Sequence, residues 1–108
     1  GNEFIAYMNE CSTNQDLKIC YLSLKNFNIE YFNSNFERLI KNFQFIEELS
    51  LANCSNLVDS SVQILFQNCK NLQSLDLSNC HLITGRCFTK SYLVNLKNLF
   101  IDYCDNLV

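Results

Sequence analysis

The chain has 108 residues, of which 48% are hydrophobic and 18% charged, and this composition fits one folded domain better than a disordered segment. A formal net charge of -3 and a pI near 4.9 argue against nucleic-acid binding, which requires clustered lysines and arginines. Seven cysteines, an odd number, occur with two glycines and no proline, which argues against a small disulfide-stapled scaffold.

The first predicted element is helical. Within residues 1–18, the apolar side chains of Phe4, Ile5, Met8 and Cys11 recur with helical spacing. We interpret this segment as the tail of a preceding unit or as an N-terminal cap.

From residue 19 onwards the chain repeats itself. A loose copy of the motif begins at Ile19, and three close copies begin at Ile46, Leu72 and Leu96, at intervals of 27, 26 and 24 residues. The close copies follow the pattern L-x-x-L-x-L-x-x-C, in which Ile can replace Leu. Because the last two aliphatic residues alternate with polar ones, each copy predicts a short strand with one buried face.

Each strand is followed by a segment with helical spacing. In the first unit the spacing covers residues 32–43, and residues 34–37 predict a capping box. In the second unit it covers residues 62–69, with Ser60 and Gln63 as the capping pair. The third unit predicts only a short or irregular helix, because a glycine and β-branched threonines disfavour helix there.

This pattern resembles the leucine-rich repeat family in its cysteine-containing subtype, and the resemblance covers residues 19–108. It implies an α/β solenoid of about four repeats, with short parallel strands on a concave face and helices on a convex face. Residues 1–108 would form one segment of that solenoid, with repeats starting near 19, 46, 72 and 96 and the last repeat truncated.

The resemblance also implies a function. The subtype is most similar to the repeat region of F-box substrate receptors of ubiquitin ligases, which implies a non-catalytic module that recognises a protein partner. The ligase adaptor would bind an F-box that is not in this chain. Two alternatives remain open: a structural or assembly subunit, as in short mitochondrial leucine-rich repeat factors, and a regulatory scaffold that clamps an enzyme. An F-box, a mitochondrial presequence or further repeats upstream of residue 1 would distinguish the three.

Three cysteines, Cys54, Cys80 and Cys104, end their strands at one equivalent position. We interpret them as small buried side chains whose thiols meet a neighbouring turn carbonyl. A metal ladder or redox switch is the weaker alternative, because the chain has no Cys-x-x-Cys and His81 has no partner at ligand spacing.

The other cysteines are predicted to differ in accessibility. Cys69 ends a helix and is expected in the core, whereas Cys11, Cys20 and Cys87 are the candidates for modifiable thiols. Buried thiols persist under reducing conditions, so we expect a cytoplasmic or nuclear protein, with the mitochondrion as an alternative. The sequence has no signal peptide and no apolar run of the roughly 20 residues that cross a bilayer, so no membrane association is expected.

The repeat register sorts side chains by face, because alternate residues of a strand point to opposite sides of a sheet. Four rows of equivalent positions are predicted to form one concave patch: Tyr21, Glu48, Ser74, Asn98; Ser23, Ser50, Asp76, Phe100; Lys25, Ala52, Ser78, Asp102; and Asn26, Asn53, Asn79, Tyr103. The asparagines of the last row are either a hydrogen-bonding platform or, more simply, residues that tolerate turn geometry.

The candidate partner-binding residues come from these rows: Tyr21, Glu48, Asp76, Asn98, Phe100, Asp102 and Tyr103. The three acids form a diagonal stripe beside two aromatic side chains in the last repeat. This arrangement predicts a partner that brings Lys or Arg to the acids and an apolar side chain to the aromatics. The alternative is that the acids are ordinary surface charges and that further chain covers Phe100.

No catalytic constellation is visible in the sequence. There is one histidine, no nucleophile motif, no phosphate-binding glycine loop and no facing pair of carboxylates. We therefore expect no enzymatic activity, cofactor or metal. Because neither end of the repeat array carries a polar cap, end-to-end self-association of the chain is expected.

Overall fold

A parallel four-stranded sheet organises the chain in the computed structural model, which describes residues 20–26, 40 and 44–108. The strands are β1 (Tyr21–Ser23), β2 (Glu48–Ser50), β3 (Ser74–Asp76) and β4 (Asn98–Phe100). Their order in the sheet is their order in the sequence. Because neighbouring strands are parallel, a crossover segment must connect each strand to the next.

Two helices lie in the described crossovers. Helix α1 (Asp59–Asn68) connects β2 to β3, and α2 (Lys90–Leu93) lies between β3 and β4. The prediction of a helix in the second unit and a short one in the third is confirmed. The helices predicted within residues 1–18 and 32–43 lie outside the described residues, apart from Ile40, which is helical and buried. No helix in the described ranges is long and apolar enough to span a bilayer.

The predicted capping pair of α1 is wrong. The helix begins at Asp59, one residue before Ser60, and the preceding Val58 is extended and makes no side-chain cap hydrogen bond. Ser60 therefore lies inside the first turn. The carboxylate of Asp59, the first residue of the helix, binds the loop of the next unit.

The strand register is the same at all three interfaces. Leu22, Leu49, Leu75 and Leu99 pair in sequence across the sheet. This is the alignment that the repeated motif predicts. Together with the two helices it makes the chain an α/β domain.

The core lies on one side of this sheet. Leu49 and Leu75 are buried beneath it, in one cluster with the apolar face of α1, formed by Val62, Leu65 and Phe66. Each fully buried aliphatic side chain stabilises the fold by about 1.5–3 kcal/mol. Because the apolar residues and α1 occupy this side, the polar residues of the strands face the other side.

Candidate functional site

The cysteines at the strand ends form a ladder of thiol hydrogen bonds. Cys54 Sγ donates to the carbonyl of Leu24 at 3.3 Å, and Cys80 Sγ donates to that of Leu51 at 3.2 Å. Cys104 Sγ repeats the contact with Leu77 at 3.1 Å. Each thiol therefore ties its own turn to the strand end of the preceding unit, which confirms the contact with a neighbouring turn carbonyl.

Burial also makes the Cys80 thiol a poor nucleophile and a poor metal ligand. Loss of hydration raises the pKa of Cys80 to about 12, and both roles require the thiolate. In the described part of the chain, no group of three or more His, Cys, Asp or Glu side chains is placed to hold a metal ion.

The prediction of accessible thiols is correct at one position and wrong at another. Cys20 is exposed, as predicted. Cys87 is completely buried, and burial raises its pKa to about 12, so it is not a modifiable thiol. Cys87 belongs to a loop whose N–H groups bond to Asp59 of the preceding unit, a contact that the sequence does not reveal. Cys69 is buried as predicted, and Cys11 lies outside the described residues.

The row of turn residues has a conformational role. Asn26, Asn53 and Asn79 have φ values of 66°, 61° and 62°, and Tyr103 has a φ of 60°. Asparagine tolerates this left-handed region better than other residues with a side chain, which confirms the turn interpretation. A side-chain bond of 2.8 Å from Asn53 Nδ2 to Asn26 Oδ1 joins two of these turns.

The predicted patch of sixteen exposed positions is wrong at Ala52, which is buried. The strict alternation of a strand ends at Ser50, and the chain then turns through Asn53. Ala52 lies in this turn, beyond the end of β2, and it is not part of the core cluster. The first two predicted rows, which lie within the strands, keep their alternation.

We call the side of the sheet formed by these two rows the outer face. One row runs through Tyr21, Glu48, Ser74 and Asn98, and the other through Ser23, Ser50, Asp76 and Phe100. A groove with a volume of about 260 Å³ lies on this face. Its large residues are Tyr21 in β1, with 63% of its surface exposed, and Phe100 in β4, with 47% exposed.

The charged side chains of the groove come from three strand segments. Glu48 and Asp76 line it from β2 and β3, and Lys25 lines it just beyond β1. Asp76 Oδ1 accepts the backbone N–H of Ser78 at 2.9 Å, which holds the carboxylate in a fixed orientation. Among the described residues no cation forms an ion pair with Glu48 or Asp76.

The structure brings together four of the seven predicted site residues. Tyr21, Glu48, Asp76 and Phe100 line the groove. Asn98, Asp102 and Tyr103 are exposed but do not line it, because the last two lie in the turn after β4. The predicted diagonal of three acids is therefore a pair of acids within the groove and a third acid outside it.

One important residue was missed by sequence reasoning. The carboxylate of Asp59 accepts bonds from the Thr84 N–H and hydroxyl at 2.8 and 3.1 Å, and from the N–H groups of Gly85 and Cys87 at 3.2 and 3.0 Å. Burial acts to raise the pKa of Asp59, but these bonds outweigh it, so the pKa lies below its ordinary value of 3.8. An acid at a predicted helix start suggests a cap, and nothing in the sequence identifies donors 25–28 residues further on.

Neither models of known protein families nor curated proteins match this sequence. The functional interpretation therefore rests on the repeated motif and on the outer face of the sheet.

Proposed function

We propose that this chain is a non-catalytic protein-recognition module of the leucine-rich repeat type, and that its partner binds across the outer face. The observation that carries the proposal is the groove on that face, which is bordered by two exposed aromatic side chains and contains two acids without an ion-pair partner in the described residues. Exposed aromatic residues next to charge are typical anchors of protein interfaces.

The repeat assignment is supported by three independent regularities. The motif L-x-x-L-x-L-x-x-C occurs in register, consecutive strands pair in parallel, and the thiol of each unit bonds to the strand end of the unit before it. These features are what stacked units of a solenoid require, because each unit buries its apolar face against its neighbours.

A recognition role also fits the chemistry of the groove better than catalysis does. The described residues that line the groove include no histidine and no cysteine. Its serines therefore have no imidazole beside them to act as the activating base. The groove offers charge and aromatic surface, which serve binding.

The motif further resembles the repeats of F-box substrate receptors, so within this function we propose substrate recognition for a ubiquitin ligase in the cytoplasm or nucleus. An F-box of roughly 40 residues upstream of this segment in the native protein would support that role. A mitochondrial presequence there would support an assembly subunit instead.

Site-specific photo-crosslinking tests the recognition surface. A photoreactive amino acid is placed at Ser74, on the outer face, or at Ser60, which is exposed on α1, in the native protein expressed in its own cells. We expect a discrete covalent adduct with a partner from position 74 and none from position 60. Adducts from position 60 alone, or none from position 74, would contradict the proposal.

A further inference from the structure

We infer that the groove binds an extended peptide segment carrying two basic side chains at alternate positions, with an apolar side chain on each flank. This inference rests on the proposed function and specifies the partner for the same face. It follows from the shape of the groove, the placement of its charges and the spacing between them.

The shape of the groove results from residue size. Three serines lie between its aromatic ends, beside Lys25, Glu48 and Asp76: Ser23 and Ser50 are in one row and Ser74 is in the other. Serine side chains are short, whereas Tyr21 and Phe100 extend well beyond the backbone. A low floor between two large side chains admits a single extended chain rather than a bulky surface.

The charges of the groove follow a diagonal. Tyr21 lies directly opposite Glu48 in one row, and Asp76 lies directly opposite Phe100 in the other. The order across the sheet is therefore aromatic, acid, acid, aromatic. A complementary ligand has the order apolar, basic, basic, apolar, because apolar side chains cover the aromatic rings while cations meet the carboxylates.

The two acids are available for such a ligand. Glu48 is exposed, and Asp76 uses one oxygen to accept a backbone bond that orients its carboxylate. Lys25 is the one cation among the described residues that line the groove, and no ion pair joins it to either acid. A ligand cation can therefore approach both acids without displacing a resident partner.

The distances agree with an extended ligand. Neighbouring strands are about 4.8 Å apart and two residues advance about 6.7 Å, so the Cα atoms of Glu48 and Asp76 are separated by about 8 Å. In an extended peptide, side chains two positions apart point to the same side and are about 6.7 Å apart. Two arginines at such positions span the pair of acids with a small adjustment of their flexible side chains.

The binding experiment uses a fluorescein-labelled peptide with the sequence Leu-Ser-Arg-Ser-Arg-Ser-Leu and measures fluorescence anisotropy. We expect the wild-type chain to bind it, with an affinity that falls as salt concentration rises. The double variant Glu48→Gln/Asp76→Asn should bind at least about tenfold more weakly, because both cations lose their partners. Asn at position 76 keeps an acceptor for the Ser78 N–H, so the turn is preserved.

A matched control removes the same number of charges outside the groove. Glu47→Gln/Asp102→Asn changes two exposed acids that do not line the groove, so its affinity should stay within about twofold of the wild-type affinity. A peptide with Glu in place of both arginines should not bind. Phe100→Ser should weaken binding of the arginine peptide, because one apolar contact is lost.

Equal affinity of the wild-type chain and Glu48→Gln/Asp76→Asn, or an equal loss in the control variant, would overturn the inference. Sedimentation velocity tests whether a second copy of this chain occupies the groove instead. Self-association that Glu48→Gln/Asp76→Asn abolishes would show this and would also overturn the inference. If crosslinking from position 74 succeeds while the arginine peptide fails to bind, the recognition function stands and the ligand chemistry is wrong. If crosslinking from position 74 and binding of the arginine peptide both fail, the proposed recognition function is contradicted as well.

Discussion

The cysteines show how one residue type takes different roles in a single small chain. Cys80 and Cys104 sit at the same position of successive units, and each contributes a thiol bond to the preceding strand end. Cys87 is buried in a loop, and Cys20, the residue before β1, is exposed. The repeat register predicts the first group from sequence. It cannot predict the burial of Cys87, because this residue lies in a loop outside the repeated motif.

Alkylation of the native chain should separate these thiols. At mildly alkaline pH, iodoacetamide should label Cys20 and leave Cys69, Cys80 and Cys87 intact, since burial raises their pKa values to about 11, 12 and 12. Peptide mass spectrometry measures labelling at each site. Labelling of the unfolded chain in urea is the control, in which all these positions should react; rapid labelling of Cys87 in the folded chain would contradict its burial.

Tyr103 is the residue whose backbone conformation fits its side chain least well. It has a φ of 60° at a turn position where three earlier units have Asn, and the residue is 75% exposed. Changing Tyr103→Asn should increase the free energy of unfolding by about 1 kcal/mol, because Asn adopts the left-handed region at lower cost.

Urea-induced unfolding measures the Tyr103 effect, with Tyr103→Phe as the control that keeps the ring and the backbone penalty. The Phe variant should match the wild-type chain in stability. Because Tyr103 does not line the groove, Tyr103→Asn should also leave binding of the arginine peptide unchanged. A less stable Asn variant would contradict the strain argument.

At the scale of elements, one carboxylate connects a helix to the loop of the next unit. Asp59 opens α1, and its two oxygens bind donors of residues Thr84, Gly85 and Cys87. Gly85 in that loop has a φ of 99°, which a residue with a side chain rarely adopts. The loop therefore depends on the positive φ of Gly85 and on hydrogen bonds to Asp59 of the preceding unit.

Removing the Asp59 charge should destabilise the chain in a pH-dependent way. At neutral pH, Asp59→Asn should lower the free energy of unfolding by about 2 kcal/mol, the scale of hydrogen bonds to a charged group. The amide nitrogen of Asn cannot accept hydrogen bonds from the loop N–H groups. Folding lowers the pKa of Asp59 below 3.8, so its contribution is present above 3.8 and is lost as pH falls through the lower folded-state value.

Chemical unfolding of the wild-type chain and Asp59→Asn, measured from neutral pH into strong acid, tests whether Asp59 stabilises the fold. The stability difference should be full at neutral pH and should shrink in strong acid, where the wild-type carboxyl is protonated. Asp102→Asn, which changes an exposed acid, is the matched control and should show little effect at any pH. Equal stability of Asp59→Asn and the wild-type chain at neutral pH would remove the proposed role of Asp59.

The sequence predicts elements whose cause is local. Alternation around Leu49 and Leu75 predicts the strands and their register, and helical spacing predicts α1. The capping pair is not predicted correctly, and the bonds from Asp59 to a loop of another unit are not predicted at all. Local patterns therefore give the type of each element, whereas contacts between units are not visible in them.

At the scale of the whole molecule, stacking in register turns a short motif into a surface. The two rows of the outer face could be read from the sequence, because strand alternation and repeat length determine them. Two features of this surface could not be predicted from the sequence. The burial of Ala52 and the separation of Asp102 from the groove both occur where the chain leaves the strand and alternation no longer applies.

The central claim is that the outer face is the surface that recognises a partner. A matched pair of variants tests it directly: Ser74→Arg adds a large side chain to the floor of the groove, and Ser60→Arg adds the same side chain to the exposed start of α1. Quantitative affinity purification of the native protein measures how much of the partner crosslinked from position 74 is retained. We expect Ser74→Arg to lose that partner while Ser60→Arg retains it; full retention by Ser74→Arg, or loss through Ser60→Arg alone, would contradict the claim.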